Sequence, residues 1–290
     1  MTTHQAAASP EDDEIPDPVE FRPPPNNLRW VVDAYYQLQK FRIATGNQIL
    51  ARERLVDQPA VPPSIRMTND RLAEIEALLA ADFSDALQGH LAMNWLGQIK
   101  GVGPVLAGKL LGLIGEIELA ETVSKLWRFA GYAVIDGKRE RPTKGEKLHY
   151  NNRLKAACYL VSASFLKCGS PYRTRSYDPA RLFYLRRATG QSEAWCREQL
   201  GLLKAGDPPT KAAVTKAIKA ATLPDGWTLG HQHMAAMRKM TKLFLGHLWL
   251  TWREAEGLPI REAYVQEKLG HSSIIGPWEM VKDAQAATPE

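Results

Sequence analysis

Two glycines around one apolar residue, Gly101-Val102-Gly103, stand in the run Ile99-Lys100-Gly101-Val102-Gly103-Pro104-Val105-Leu106. The run reads as a helix, a tight turn and a second helix. Glycine admits backbone conformations that other residues avoid, so such a turn can aim main-chain N–H groups outward at the start of a helix. Bare amides and the positive helix end bind anions, phosphate above all. Val102 is expected to plug the gap between the helices, Ala107 to lie where they cross closely, and Leu110 and Leu111 to be buried. Lys109, on the second helix, would add a point charge to the phosphate. Main-chain amides do not distinguish bases, so this element would position a nucleic acid and not read it. The competing reading is a plain helical hairpin inside a core.

Two further groups are basic. Lys138, Arg139, Arg141, Lys144, Lys147, Arg153 and Lys155 stand against only Glu140 and Glu146, with Gly137 and Gly145 loosening the loop. Such a segment can grip neighbouring phosphates and make binding fall steeply with salt. Its alternative is a solvated hairpin. The second group sets Arg173, Arg175, Arg181, Arg186 and Arg187 among Tyr172, Tyr177, Phe183 and Tyr184. Arginines alternating with aromatics can stack on the bases of a single strand. Equally, the aromatics can be core and the arginines an exposed face. Histidines His231, His233, His247 and His271 and cysteines Cys158, Cys168 and Cys196 lack metal-ligand spacing, so no metal and no cofactor is expected.

The elements that must position these residues read as helices. Leu154, Cys158, Val161 and Phe165 recur at helical spacing, as do Met234, Met237, Phe244, Leu248 and Trp252 in a helix over about 231–255. Val31, Tyr35 and Leu38 predict a helix from Asn27 to about Val56, and Leu72, Ile75, Leu79 and Phe83 one over 69–99 with a break near Ser84. Shorter helices are expected over 121–130 and from Asp207 onward, carrying Val214 and Ile218. Residues 169–209 read as mixed helix and loop. Asp136-Gly137 favours a tight turn, so Val134 to Lys138 reads as one small β-hairpin. The fold class is therefore mostly α, with a helix-hairpin-helix unit. The expected organisation is an acidic disordered tail over 1–26, a helix and Pro-rich linker over 27–66, a nucleic-acid-binding domain over 67–168, a helical domain over 169–280 and a tail over 281–290.

Charge is uneven. Residues 1–26 hold six acids and one arginine, a net of −5, while the whole chain carries +5, so the remainder carries +10. A basic body suits a polyanion, and the acidic tail can mimic or screen it. No apolar run approaches the ~18 residues that cross a bilayer, and the first ten residues lack the pattern of a secretory signal. Three unevenly spaced cysteines fit a reducing cytoplasm.

Residues 94–168 resemble the C-terminal helix-hairpin-helix domain of the RNA-guided insertion-sequence transposases, which pair it with an N-terminal RuvC-like DEDD domain. The correspondence runs through Gly101 and Gly103, then Ile114-Gly115-Glu116-Ile117, then Leu126, Phe129, Ala130, Gly131 and Tyr132, then Lys147, Asn151, Asn152, Leu154 and Lys155. It covers about a quarter of the chain. The family's serine nucleophile lies between the third and fourth stretches. Residues 132–147 contain no serine, and Thr143 is their only hydroxyl of that kind. Residues 27–93 are too few and too helical for a RuvC fold. The resemblance thus implies a DNA-binding domain detached from its catalytic machinery, with RNA as an open second partner and a recombinase or a second copy as possible protein partners. A diverged transposase or recombinase is the enzyme alternative. An adaptor that binds protein through its Met- and Trp-rich C-terminal helix is the other.

Overall fold

The computed structural model describes residues 27–55, 60–135, 138–139, 145, 148–202, 228–260 and 275–281. It is mostly helical. Helix α1 (Asn27–Glu53) and helix α2 (Pro63–Ala86) run antiparallel, joined near their far ends by the Arg66–Glu53 ion pair. The short helix α3 (Met93–Leu96) leads to the glycine turn and to α4 (Pro104–Ile114). A 3₁₀ turn over Ile117–Leu119 and helix α5 (Val123–Phe129) follow. Next come the two-residue strands β1 (Val134–Ile135) and β2 (Lys138–Arg139), then α6 (Asn152–Cys168). A π-helical turn over Arg173–Tyr177 continues directly into α7 (Asp178–Thr189), which precedes α8 (Glu193–Leu202) and α9 (Leu229–Ala255).

The strands pair antiparallel, Val134 opposite Arg139 and Ile135 opposite Lys138, as the hairpin reading requires. The Asp136-Gly137 connection itself lies outside the described residues, as do the acidic tail, the helix expected around Val214 and Ile218, and residues 282–290. Among the described residues this pair is the whole of the sheet.

One continuous core takes side chains from Leu28 through Val281, so the expected boundaries near 66 and 168 do not divide it. The α6 face came out as the spacing predicts, with Leu154, Cys158, Val161 and Phe165 fully buried. On α1 Tyr35 is buried and Val31 packs against the core as expected; Leu28 and Val32 complete the inward face, and Leu38 is only half-buried. Helix α2 starts six residues earlier than expected because Pro63 suits a first helical turn, where a proline costs no hydrogen bond. Its Ile75 faces solvent and its Phe83 the core. Glycines let the helices close up: a Cβ on Gly108 would meet the Phe83 ring, and one on Gly112 would meet Val32 and the α1 backbone. Residues expected to be mixed helix and loop over 169–209 are nearly continuous helix as far as 202.

Two buried polar side chains of α9 tie it to main-chain carbonyls elsewhere in the fold. Arg253 donates to the carbonyls of Ile117, Glu118 and Ala120 and to that of Pro259, and Trp249 donates to Ala120. The segment 275–281 is pinned by Trp95 Nε1 donating to the Pro277 carbonyl and by His247 Nε2 bonded to the Ile275 carbonyl, with Met280 and Val281 in the core. The carbonyl can only accept, so Nε2 carries the proton and Nδ1 accepts from the Tyr172 hydroxyl at 2.7 Å. Burial pushes His247 down to about 4. No helix is long and apolar enough to cross a membrane among the described residues.

Candidate nucleic-acid interface

The glycine turn is built as a corner with one packed side and one open side. Gly101 has φ +99, in the region that favours glycine, and a Cβ there would lie 2.7 Å from Cys168 Sγ and 3.2 Å from Ser164 Oγ. Ser164 Oγ donates to the Gly101 carbonyl at 2.7 Å, which fastens the corner to α6. Val102 is half-buried against the core, as a plug should be, and its N–H is already spent on the Ile99 carbonyl at 3.0 Å. The expectation that Val102 offers its amide is therefore corrected.

Gly103 is different. It has ordinary extended backbone, φ −87 and ψ 173, it is exposed, and a Cβ would meet nothing within 4 Å. Its carbonyl accepts the first helical bond of α4, from Ala107 N–H at 2.9 Å. No side chain caps this end, and Pro104 brings no donor. Among the described residues the N–H groups of Gly103, Val105 and Leu106 have no acceptor. These are the donors every helix start leaves over. Of the amides expected open at 101–103, that of Val102 is taken, and the geometry adds those of Val105 and Leu106.

Lys109 does not stand beside this corner. It is 3% exposed and turned into α1, with Nζ 4.7 Å from the centre of the Tyr35 ring, 4.2 Å from that of Tyr36 and 3.4 Å from Gln39 Oε1. Burial lowers its pKa. The same network holds Glu76, which takes hydrogen bonds from Tyr35, Gln39 and Arg42. Burial alone would raise Glu76, but those bonds outweigh it and hold its pKa below the usual value. Burial, then Glu76, pushes Tyr35 up to about 12. The exposed cations nearest the corner are Lys100, within the turn, and Lys167, beside the Cys168 that touches the Lys100 carbonyl at 3.6 Å. Sequence reasoning passed over both, although Lys100 adjoins the first glycine.

The basic segment is only partly described. Arg141, Lys144 and Lys147 lie outside the described residues, and Lys138 and Arg139 are placed by backbone alone. Lys155 lies over the Tyr150 ring at 4.1 Å, while Arg153 pairs with Asp33 and lies 5.2 Å from the Tyr36 ring centre. On α9, Lys242 lies over the Trp127 ring at 4.0 Å. Burial and then the Arg238 charge lower its pKa.

The arginine–aromatic group resolves toward its bland alternative. Tyr172 is fully buried, stacked on Phe165 at 4.8 Å, and Tyr177 is bonded to His233. Arg173 pairs with Asp178 and donates to the Leu166 carbonyl. Arg175 pairs with Glu279, Arg186 with Glu193, and buried Arg181 donates to the Leu229 carbonyl. Arg187 is exposed and engaged within the chain. Phe183, 57% exposed, is the one aromatic of the group that is fully at the surface. These arginines thus have partners within the chain, while Arg186 and Arg187 remain exposed.

Met237, Met240, Trp249 and Trp252 of α9 are buried, which removes the surface an adaptor helix would need; Met234, expected inward, is exposed. No group of three His, Cys, Asp or Glu able to hold a metal occurs among the described residues. No protein-family model matches the chain, and no curated protein or solved structure matches it either.

Proposed function

We propose that this chain is a non-catalytic nucleic-acid-binding protein that holds a sugar-phosphate backbone at the start of α4, in the manner of the transposase helix-hairpin-helix domains it resembles. The observation that carries the reading is the uncapped end of α4, exposed at Gly103 and Pro104, where the N–H groups of Gly103, Val105 and Leu106 have no acceptor among the described residues, at a corner that Gly101 packs against α6. A helix start of this kind presents donors and a positive partial charge to one phosphate. Lys100 and Lys167 add exposed point charges, and the basic segment expected over Lys138 to Lys155 would extend the grip to neighbouring phosphates. The whole-chain excess of positive charge supports long-range attraction of a polyanion. Duplex DNA is the proposed partner, and a role beside a recombinase of a mobile element or phage follows from the resemblance alone.

A gel-shift panel of single- and double-stranded DNA and RNA at two ionic strengths tests this. Salt-sensitive retention of duplex DNA is the expected result. No shift with any of the four at low salt would overturn it.

A further inference from the structure

We infer that the outward face of the α1–α2 hairpin is the seat of a second copy of this chain, packed against it about a two-fold axis as a four-helix contact. The molecule uses the other face of the hairpin for its own core. Leu28 and Val32 of α1 and Phe83 of α2 are buried, and glycines of α4 make room for Val32 and Phe83. At 3.6 residues per turn, Trp30 lies about 200° round α1 from both Leu28 and Val32. Trp30 is 74% exposed, Phe41 58% and Leu78 67%, and Ile75 is exposed one turn before Leu78. No residue of α1 after Tyr35, and none of α2 before Phe83, is buried. Large apolar side chains gathered on one exposed face mark an interaction surface.

The face is spaced for other helices. Trp30, Ala34, Gln37 and Phe41 recur at steps of four, three and four on α1, and Arg71, Ile75, Leu78 and Asp82 do the same on α2. That is the repeat by which one helix packs along another. The pattern is also symmetric about one level, and this symmetry names the occupant. The Arg42–Glu76 ion pair sets Phe41 level with the step from Ile75 to Leu78. Trp30 and Arg52 stand eleven residues to either side of Phe41, about three turns each, so the three share a face. Arg71 precedes Ile75 by four residues and Asp82 follows Leu78 by four. A two-fold axis crossing the hairpin at that level lays α1 on its counterpart and α2 on its counterpart, each pair antiparallel. Phe41 then meets Phe41, and Ile75 meets Leu78. Each Arg71 faces the other copy's Asp82, and each Arg52 the other copy's Trp30 ring. Within one chain Arg71 and Asp82 are about 16 Å apart along α2 and cannot pair. The partner Arg71 has there is Glu74, in an exposed contact of little worth.

The area is sufficient. Helix α2 has 24 residues, so the face runs about 36 Å, and two helices side by side span about 20 Å. That gives about 700 Å² per copy, near the ~800 Å² per partner of stable complexes. Its centre is apolar and its ends are charged, the usual anatomy of an interface between proteins. The α4 start takes no part in the contact, which therefore stands apart from the nucleic-acid reading.

The test is light scattering and sedimentation velocity on the full chain without nucleic acid. A dimer, at twice the 32.4 kDa of one chain, is expected at micromolar concentration. Phe41→Glu with Leu78→Glu strikes the centre of the face twice per dimer and should raise Kd roughly 100-fold or more. Both side chains are exposed, so circular dichroism of that variant should match the parent. Arg71→Asp and Asp82→Arg each turn two attractions into repulsions and should weaken the dimer about five- to tenfold. Combined in one chain they restore the attraction across copies, and Kd should return to within about threefold of the parent. A monomer at about 100 μM, an assembly larger than a dimer, a dimer undisturbed by Phe41→Glu with Leu78→Glu, or a charge swap that fails to restore association would each overturn the inference.

Discussion

Replacing Gly103 by aspartate separates two roles of the α4 start that are easily confused. Gly103 is the N-cap, with extended backbone that any residue adopts and no atom within 4 Å of a new Cβ. An Asp there has room and the right φ and ψ to accept from the open Val105 or Leu106 amide. It gains a few tenths of a kcal/mol over glycine as a cap and a further ~0.3–1 kcal/mol from the helix dipole. The folded protein should therefore be stabilised by about 0.5–1.5 kcal/mol, read as a small rise in unfolding temperature. The same carboxylate occupies the donors proposed to hold phosphate and repels the incoming charge. Loss of one charge-assisted hydrogen bond costs ~1.5–3 kcal/mol, so duplex affinity should fall at least 10-fold and by more where two amides are blocked. Gly103→Ala is the control: it leaves the amides open, costs about 0.5–1 kcal/mol of stability as a poorer cap, and should bind nearly as well as the parent. Thermal unfolding and fluorescence anisotropy with labelled duplex read the two effects. Full affinity in Gly103→Asp would show that these amides do not touch phosphate.

Three other outcomes follow from the geometry. Gly101→Ala combines a positive φ, at ~1–2 kcal/mol for a side chain, with overpacking against Cys168 and Ser164, at ~1–3 kcal/mol, so denaturant unfolding should show a loss of about 2–5 kcal/mol. Lys109→Met, a swap of similar volume at a buried position, should change stability by less than about 1.5 kcal/mol and leave duplex affinity unaltered; a drop in affinity on the folded variant would restore Lys109 to the interface. His247 is held neutral by burial, with a folded value of about 4 against 6.5 for the ordinary group. Its contribution is whole above pH 6.5 and lost as the pH falls toward 4, about 3 kcal/mol at 1.36 kcal/mol per pH unit. Unfolding curves across pH 7 to 4 should be steeper in the parent than in His247→Gln.

What the sequence made legible was periodicity with a wide apolar stripe and glycine chemistry. Helix α6 was readable because Leu154, Cys158, Val161 and Phe165 are all apolar and all inward. Helix α1 was readable as a helix with Val31 and Tyr35 on its packed side, but not the centring of that side on Leu28 and Val32, which Gly112 of α4 decides. The turn was found from its glycines, but not that the Val102 amide closes the turn on the Ile99 carbonyl. Lys109 misled for a similar reason. A lysine near a glycine turn looks like a phosphate contact until the partner helix brings two tyrosine rings and a glutamine to it. The arginines of 173–187 showed their number but not their carboxylates, since Glu279 lies 104 positions from its partner Arg175.

The central claim is that main-chain donors at the start of α4 meet phosphate, and backbone amide NMR during titration with a short DNA duplex observes them one by one. The account predicts saturable downfield shifts of the Gly103, Val105 and Leu106 amides, with Val102, already bonded to Ile99, moving far less. Duplex binding that leaves those three resonances unmoved would contradict it.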